Sequence, residues 1–298
     1  MTDAPDADLI DGRDLSQAVR DEVRADIEEW TDAGHRPPFL SAVLVGDNPA
    51  SEAYVRGKEK DAAEVGIDTE THHLDADTSQ PDLLDLISDL NADVSVDGIL
   101  VQLPLPDHID EQAIIDAVDP EKDVDGFHPE NLGRLLRGTP RYIPATPYGI
   151  MQMLSRSNID PEGMDAVIVG RSNIVGKPLA NLLLRRTANA TVTVCHSRTQ
   201  DLAAHTRRAD LLVAAAGQAA FIGGDMVQEE AVVIDVGINR VEDDAAERGY
   251  RLVGDVAFDE VRPKAARITP VPGGVGLMTR AMLLKNTLAA ARLRAEST

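Results

Sequence analysis

Cysteine occurs once, at Cys195, which excludes an internal disulfide and fits a reducing compartment. No apolar run approaches the ~18 residues that a membrane helix needs. The segment Met1-Thr-Asp-Ala-Pro-Asp-Ala-Asp8 has neither the basic start nor the apolar stretch of a signal peptide. A soluble, cytoplasmic protein is expected. Basic residues are scarce as well: 29 Lys plus Arg stand against 51 Asp plus Glu, a net charge of −22. A surface of that sign disfavours nucleic acid and anionic membranes as partners. Internal repeats and low-complexity linkers are also missing. The carboxylates do not form a disordered tail, because they are spread among periodic apolar segments and 43% of the chain is hydrophobic. So large an acidic excess exceeds what solubility alone asks for. It points to a halophilic protein, since concentrated salt screens the self-repulsion.

What is present is an alternation of helical and strand patterns. Leu15, Val19, Val23 and Ile27 give residues 14–30 a helical period. Residues 39–45 read as a buried strand, after which Asn48 is placed to cap a helix and Pro49 to begin it. That helix carries Tyr54 to Val65. Residues 67–74 and 98–102 read as further strands, and residues 81–90 and 109–118 as helices. A loop-rich stretch over 119–147 separates this half from a second one. There, residues 166–169, 191–195, 210–217, 232–239 and 267–271 read as strands, and residues 278–293 close the chain as an amphipathic helix. Strands alternating with helices imply α/β architecture with parallel sheets, and 298 residues suffice for two domains.

The most telling segment is Asp165-Ala-Val-Ile-Val-Gly-Arg-Ser-Asn-Ile-Val-Gly-Lys-Pro178. A short buried strand leads into a turn holding Gly170, Ser172 and Gly176, and Pro178 sits in the first turn of the helix that follows. Such a turn aims backbone N–H groups and a helix N-terminus at one point, which suits a pyrophosphate. It departs from G-x-G-x-x-G, because Ser172 holds the middle position and the last glycine comes one residue late; a plain tight turn is the alternative. The next strand ends His196-Ser197-Arg198-Thr199, without the carboxylate that would bind a ribose 2′-hydroxyl. Arg171, Ser197 and Arg198 could instead receive a 2′-phosphate, so NADP is expected over NAD.

Several segments together resemble the bifunctional methylenetetrahydrofolate dehydrogenase/cyclohydrolases of the FolD type. They are Ser51-x-x-Tyr54-x-x-x-Lys58, Asp97-Gly-Ile-Leu-Val-Gln-Leu-Pro-Leu-Pro106, Lys122-Asp-Val-Asp-Gly-Phe127, Gly170-Arg-Ser-Asn-Ile-Val-Gly-Lys-Pro178, Asp235-Val-Gly-Ile-Asn239 and Thr269-Pro-Val-Pro-Gly-Gly-Val-Gly276. They stand in the family's order along nearly the whole chain. One departure is Leu277, where the family usually has Pro. The resemblance implies an N-terminal α/β folate domain (1–146) on which the C-terminal helix (278–298) packs back. It also implies a C-terminal Rossmann-like NADP-binding domain (147–277), a cleft between the two, and a homodimer serving one-carbon metabolism and purine biosynthesis.

The same resemblance implies residue roles. Lys58 would be the general acid/base of the hydrolytic step, Tyr54 would pack against the folate, and Gln102 would hydrogen-bond the lysine amine. Asp125 would bind the pterin, with Ser51, Pro272 and Gly273 as further substrate contacts. Gly170, Arg171, Ser172, Ser197, Arg198 and Ile238 would contact NADP. The residue types agree with this. Tyr54 and Lys58 lie four apart and share a helix face, and a carboxylate accepts paired N–H bonds from an aminopyrimidine edge. To work near neutral pH, Lys58 must titrate well below the usual ~10.4. An EF-hand reading of Asp123 and Asp125 fails, because Leu132 stands where the loop needs Glu; Asp123 reads as a turn residue. His72, His73 and His196 have no spacing for a metal site. Two rival readings are a monofunctional methylene-pterin dehydrogenase and a non-catalytic nucleotide-binding protein of this fold.

Overall fold

Phe39–Val45 is a run of apolar residues with one serine, Ser41, and no charge. In the computed structural model, which describes residues 7–243, 245–246 and 249–296, it is a central strand with six of its seven residues buried. Residues 1–6 of the N-terminal octapeptide discussed above lie outside the described residues. In chain order the elements are β1 (Asp8–Leu9), α1 (Gly12–Asp32), β2 (Phe39–Val45), α2 (Pro49–Val65), β3 (Asp68–Leu74), α3 (Gln80–Ala92), β4 (Gly98–Val101), α4 (Glu111–Ala117), α5 (Pro129–Leu136), α6 (Ala145–Arg156) and β5 (Asp165–Val169). They continue with α7 (Gly176–Leu183), β6 (Thr191–Cys195), α8 (Leu202–Thr206), β7 (Leu211–Ala214), β8 (Val232–Asp235), β9 (Asn239–Glu242), β10 (Tyr250–Val253), α9 (Phe258–Val261), β11 (Arg267–Ile268) and α10 (Val275–Glu296). Among the described residues no helix is long and apolar enough to cross a membrane.

The chain forms two compact units. One comprises Gln17–Ala145 with the described residues from Arg280 onward. Its sheet has the order β3-β2-β4, all parallel. Val43, Val45, Leu83, Ile87, Ile99 and Ile114 form a core of this unit. Helix α2 starts as its sequence dictates: the Asn48 side chain accepts from Ala50 N and Ser51 N, and Pro49 occupies a first-turn position where its missing N–H costs nothing. It ends at Gly66, which takes the left-handed conformation at φ 88°.

The other unit comprises the described residues up to Ser16 together with Thr146–Thr279. Its six-stranded parallel sheet runs β1-β11-β8-β7-β5-β6. Residues before Ser16 belong here because β1 pairs with β11 at the sheet edge. The chain leaves β5 to one side for β6 and to the other for β7, so the strand order reverses at β5. In open α/β sheets, ligands bind outside the carboxyl ends of the strands at that reversal.

The stretch 119–147 is loop-rich but also holds α5, with His128 accepting from Glu130 N and Pro129 in the first turn, and α6 begins at Ala145. Three expectations need correction. Residues 232–239 are not one strand, because β8 stops at Asp235, and Asn239 begins the antiparallel β9–β10 pair. The strand expected over 267–271 is only Arg267–Ile268. Helix α10 does not have a single apolar face, since Ala281, Met282, Leu283 and Leu284 are buried in succession; such a helix is packed on several sides.

Candidate active site

Helix α2 brings Tyr54, Gly57, Lys58 and Asp61 onto one face, at the three- and four-residue spacing of helical neighbours. The Lys58 side chain is buried, and its Nζ donates to Gln102 Oε1 at 3.1 Å. Gln102 follows β4 directly, and its backbone N–H bonds Val43 O on β2. Its side-chain Nε2 donates to Leu103 O at 2.6 Å, so the amide presents its oxygen to the lysine. The Tyr54 ring centroid lies 5.8 Å from Lys58 Nζ. Ser51 is buried in the first turn of the same helix, with its N–H on Asn48 Oδ1.

Asp125 comes to this group from the turn after Lys122. Asp123 organises that turn: its buried carboxylate accepts from the N–H groups of Gly126, Phe127 and His128 and from Asn131 Nδ2. Gly126 adopts φ 75° against the backbone of Ile143 and Pro144, so no side chain fits there. Asn286 on α10 ties the turn down by donating to Val124 O and Ile143 O. Lys122 is not a second functional lysine, because its Nζ donates to Leu90 O, Asn91 O and Asp93 O, the carbonyls at the end of α3.

The electrostatics follow from burial. Desolvation pushes Lys58 below the usual lysine value; the Asp125 charge opposes this and the Arg280 charge adds to it. Desolvation lifts the Asp125 carboxyl to about 6, with Lys58 pulling it down and Asp123 pushing it up. Burial also raises the Tyr54 hydroxyl, against the pull of Arg280. The result is a desolvated amine and a desolvated carboxyl that sense each other, an arrangement that can hold or move a proton near neutral pH.

In the other unit, a cavity of about 600 Å³ opens at the carboxyl ends of β5, β6 and β7. Gly170, Arg171, Ser172 and Ser197 line it, as do His196, Thr199, Ala216, Gln218 and Phe221, which the sequence reading did not assign to the cofactor. Gly170, at φ 141°, packs so closely on Ala215 that a Cβ would overlap its carbonyl oxygen, and Gly176 packs likewise on Gly170 O. The N-terminus of α7 has no side-chain cap at Val175; Lys177 N–H bonds Ser172 O and Pro178 has no N–H, so in the first turn it is Gly176 that has an N–H to offer an anion. Arg198 is exposed on the same turn as Ser197, with its N–H on His196 Nδ1. Ile238 is 45% exposed, and neither it nor Arg198 lines this cavity.

The cavity owes its far wall to Asp255, which sequence reasoning missed. Its buried carboxylate accepts from the consecutive N–H groups of Ala216, Gly217 and Gln218 and from Asn239 Nδ2. Asp235, beneath it, accepts from Gly237, Asp255 and Val256 N–H. Gly254 and Gly237 leave the space these carboxylates fill. The detectable signal was an Asp flanked by Gly at a strand end. Pro272 and Gly273 follow β11 in this same unit, where Gly273 O accepts from Gly12 N. Leu277, in the first turn of α10, uses its N–H on Gly274 O, a bond that Pro would lack. Asp47, Glu52 and His73 each bring a possible ligand atom within 4.8 Å of the others. All three are at least partly exposed, and Glu52 already pairs with Arg56.

Comparison with known proteins gives concordant matches. The family model described as tetrahydrofolate dehydrogenase/cyclohydrolase, catalytic domain, matches residues 10–125. The corresponding NAD(P)-binding domain model matches residues 144–295. The chain is 86% identical over 297 residues to a bifunctional protein FolD of Salinibacter ruber, covering 100% of each. A crystal structure of the bifunctional FolD enzyme from Campylobacter jejuni matches with a TM-score of 0.90 and 49% identity, over 97% of this chain and 99% of that one. The Trypanosoma brucei enzyme, solved with NADP cofactor and inhibitor, matches with a TM-score of 0.93 and 40% identity, over 98% and 99%.

Proposed function

The chain belongs to the tetrahydrofolate dehydrogenase/cyclohydrolase family, and on that premise we propose that Lys58, oriented by Gln102, is its proton-transfer group in hydrolysis. The enzyme oxidises 5,10-methylenetetrahydrofolate with NADP to 5,10-methenyltetrahydrofolate and hydrolyses that to 10-formyltetrahydrofolate. The observation that carries the reading of Lys58 is the 3.1 Å bond from its buried amine to an amide whose orientation is itself locked.

In the hydrolytic step a water adds to the methenyl carbon, and neutral Lys58 takes one of its protons. The resulting ammonium then protonates N5 as the C–N5 bond breaks, while the new hydroxyl loses its proton to solvent as the formyl group forms. This returns Lys58 to its neutral state and releases one proton overall. Desolvation of the amine supports this role. Asp125 is suited to accept the N–H groups of the pterin ring, and Tyr54 and Ser51 would be further contacts of the folate. Pro272 and Gly273 would approach the substrate through backbone.

NADP, when bound, supplies the hydride acceptor of the first step. Gly170 and Ser172 would hold its pyrophosphate, and Arg171, Ser197 and Arg198 its 2′-phosphate. Ile238 would contact the cofactor from the segment after β8. The close glycine packing at the turn and the uncapped α7 terminus fit that ligand. A homodimer working in the cytoplasm at high salt, supplying one-carbon units for purine biosynthesis, completes the proposal; the net charge of −22 supports the salt adaptation.

The test is to incubate the protein with methylenetetrahydrofolate and NADP in molar KCl, following methenyl and NADPH absorbance. NADPH formation with 10-formyl product and no lasting methenyl signal is the expected result. In Lys58→Met, methenyltetrahydrofolate should accumulate; if the variant still clears it, Lys58 is not the proton-transfer group.

A further inference from the structure

Lys58 is faced by Gln102 at the end of β4, by Asp125 from the turn after Lys122, by Tyr54 one helical turn earlier on α2, and by Arg280 from α10. Asp125 carries a charge that favours the ammonium form, which is the wrong form for accepting a proton from water. Arg280 carries the opposite charge, and its position is built rather than incidental. Its Nε makes an ion pair of 2.9 Å with Asp61 Oδ2, and its Nη2 bonds Asp61 Oδ1 at 3.4 Å. Asp61 is only 4% exposed. The guanidinium crosses α2 at Gly57, where a Cβ would overlap Nη1. Gly57 and Asp61 share the face that carries Tyr54 and Lys58, so the fixed cation rests on the catalytic face, next to the lysine in the chain.

A glycine in a helix interior costs ~1 kcal/mol against alanine, and here it admits that guanidinium. We propose that Arg280 is a positioning residue for hydrolysis: anchored by Asp61 and admitted by Gly57, it offsets the charge of Asp125 and keeps Lys58 in its proton-accepting form. Burial and the Arg280 charge both act on Lys58 in that direction. The inference rests on the reading of Lys58 as the proton-transfer group.

The experiment is the pH dependence of methenyltetrahydrofolate hydrolysis in wild type, Arg280→Gln, Arg280→Lys and the double variant Asp61→Asn/Arg280→Gln. Wild-type activity has an acid limb where Lys58 becomes protonated. In Arg280→Gln this limb moves up by about one pH unit, roughly a tenfold loss on the limb, with rates converging at high pH. Arg280→Lys keeps the wild-type limb. The double variant, which leaves no buried unpaired carboxylate, shows the same upward move and guards against a folding defect in the single one; NADP affinity reports that it is folded. A uniform fall in rate at every pH, or an unmoved limb in the double variant, overturns the proposal. Lys58→Met is assayed beside them: if it still hydrolyses, the reading of Lys58 fails; if it is dead while the limb stays unmoved, only the role of Arg280 fails.

Discussion

Lys58 Nζ donates to Gln102 Oε1 at 3.1 Å, and Gln102 cannot turn that amide over without giving up the bond from its Nε2 to Leu103 O. The lysine therefore always meets an acceptor, which holds the amine on one line. Lys58→Met should lower hydrolysis by ~10²–10⁴, the usual scale of general acid–base catalysis. Gln102→Leu should cost less, about tenfold, because the amine remains but is no longer oriented. The decay rate of methenyl absorbance measures both, and equal losses would show that Gln102 does more than orient.

Asp235 gives a pH dependence of stability. Burial raises its carboxyl from 3.8 to about 7, against the pull of three N–H donors. Between those values the folded chain keeps a proton that the unfolded chain has released. The contribution of this group to stability therefore falls as pH rises from about 4 to about 7. Asp235→Asn, neutral throughout, removes that slope. Relative to the variant, wild type should lose on the order of 2 kcal/mol between pH 5 and pH 8. Denaturant unfolding at both pH values checks it, and a constant difference would contradict the burial argument.

Arg171 and Ser197 line the cavity at the ends of β5 and β6. If they read the 2′-phosphate, Arg171→Ala should weaken NADPH binding about 10- to 100-fold, the worth of one charge-assisted bond. NADH binding should change little. Fluorescence titration with the two nucleotides decides it, and a parallel loss of both would assign Arg171 to the pyrophosphate instead.

The acidic surface should make stability depend on salt. The midpoint of thermal unfolding is expected to rise steadily from dilute buffer to molar KCl as self-repulsion is screened. A flat or falling midpoint would remove the halophilic reading.

Much of the architecture was legible because its causes are local. The uncharged run of β2 and the Asn48-Pro49 start of α2 favour one backbone conformation through side-chain period or sterics, and the glycines at 170 and 176 admit a close turn that other residues would block. The elements missed are those whose order comes from elsewhere. Strand β1 is two residues at a sheet edge, α5 begins with His128 as its cap, and the β9–β10 pair starts inside an apolar run that reads as one strand.

By itself, then, the sequence determined the alternation of elements, the shared face of Tyr54 and Lys58, the tight glycine turn between β5 and α7 and the absence of a carboxylate after β6. All of these depend on residues within a few positions of one another. Tertiary structure alone decided that Gln102, Asp125 and Arg280 converge on Lys58, and that Asp255 holds the backbone of Ala216, Gly217 and Gln218. Those partners are distant in the chain, and desolvation, which sets the protonation of Lys58 and Asp125, depends on what packs around a group and not on its neighbours in sequence.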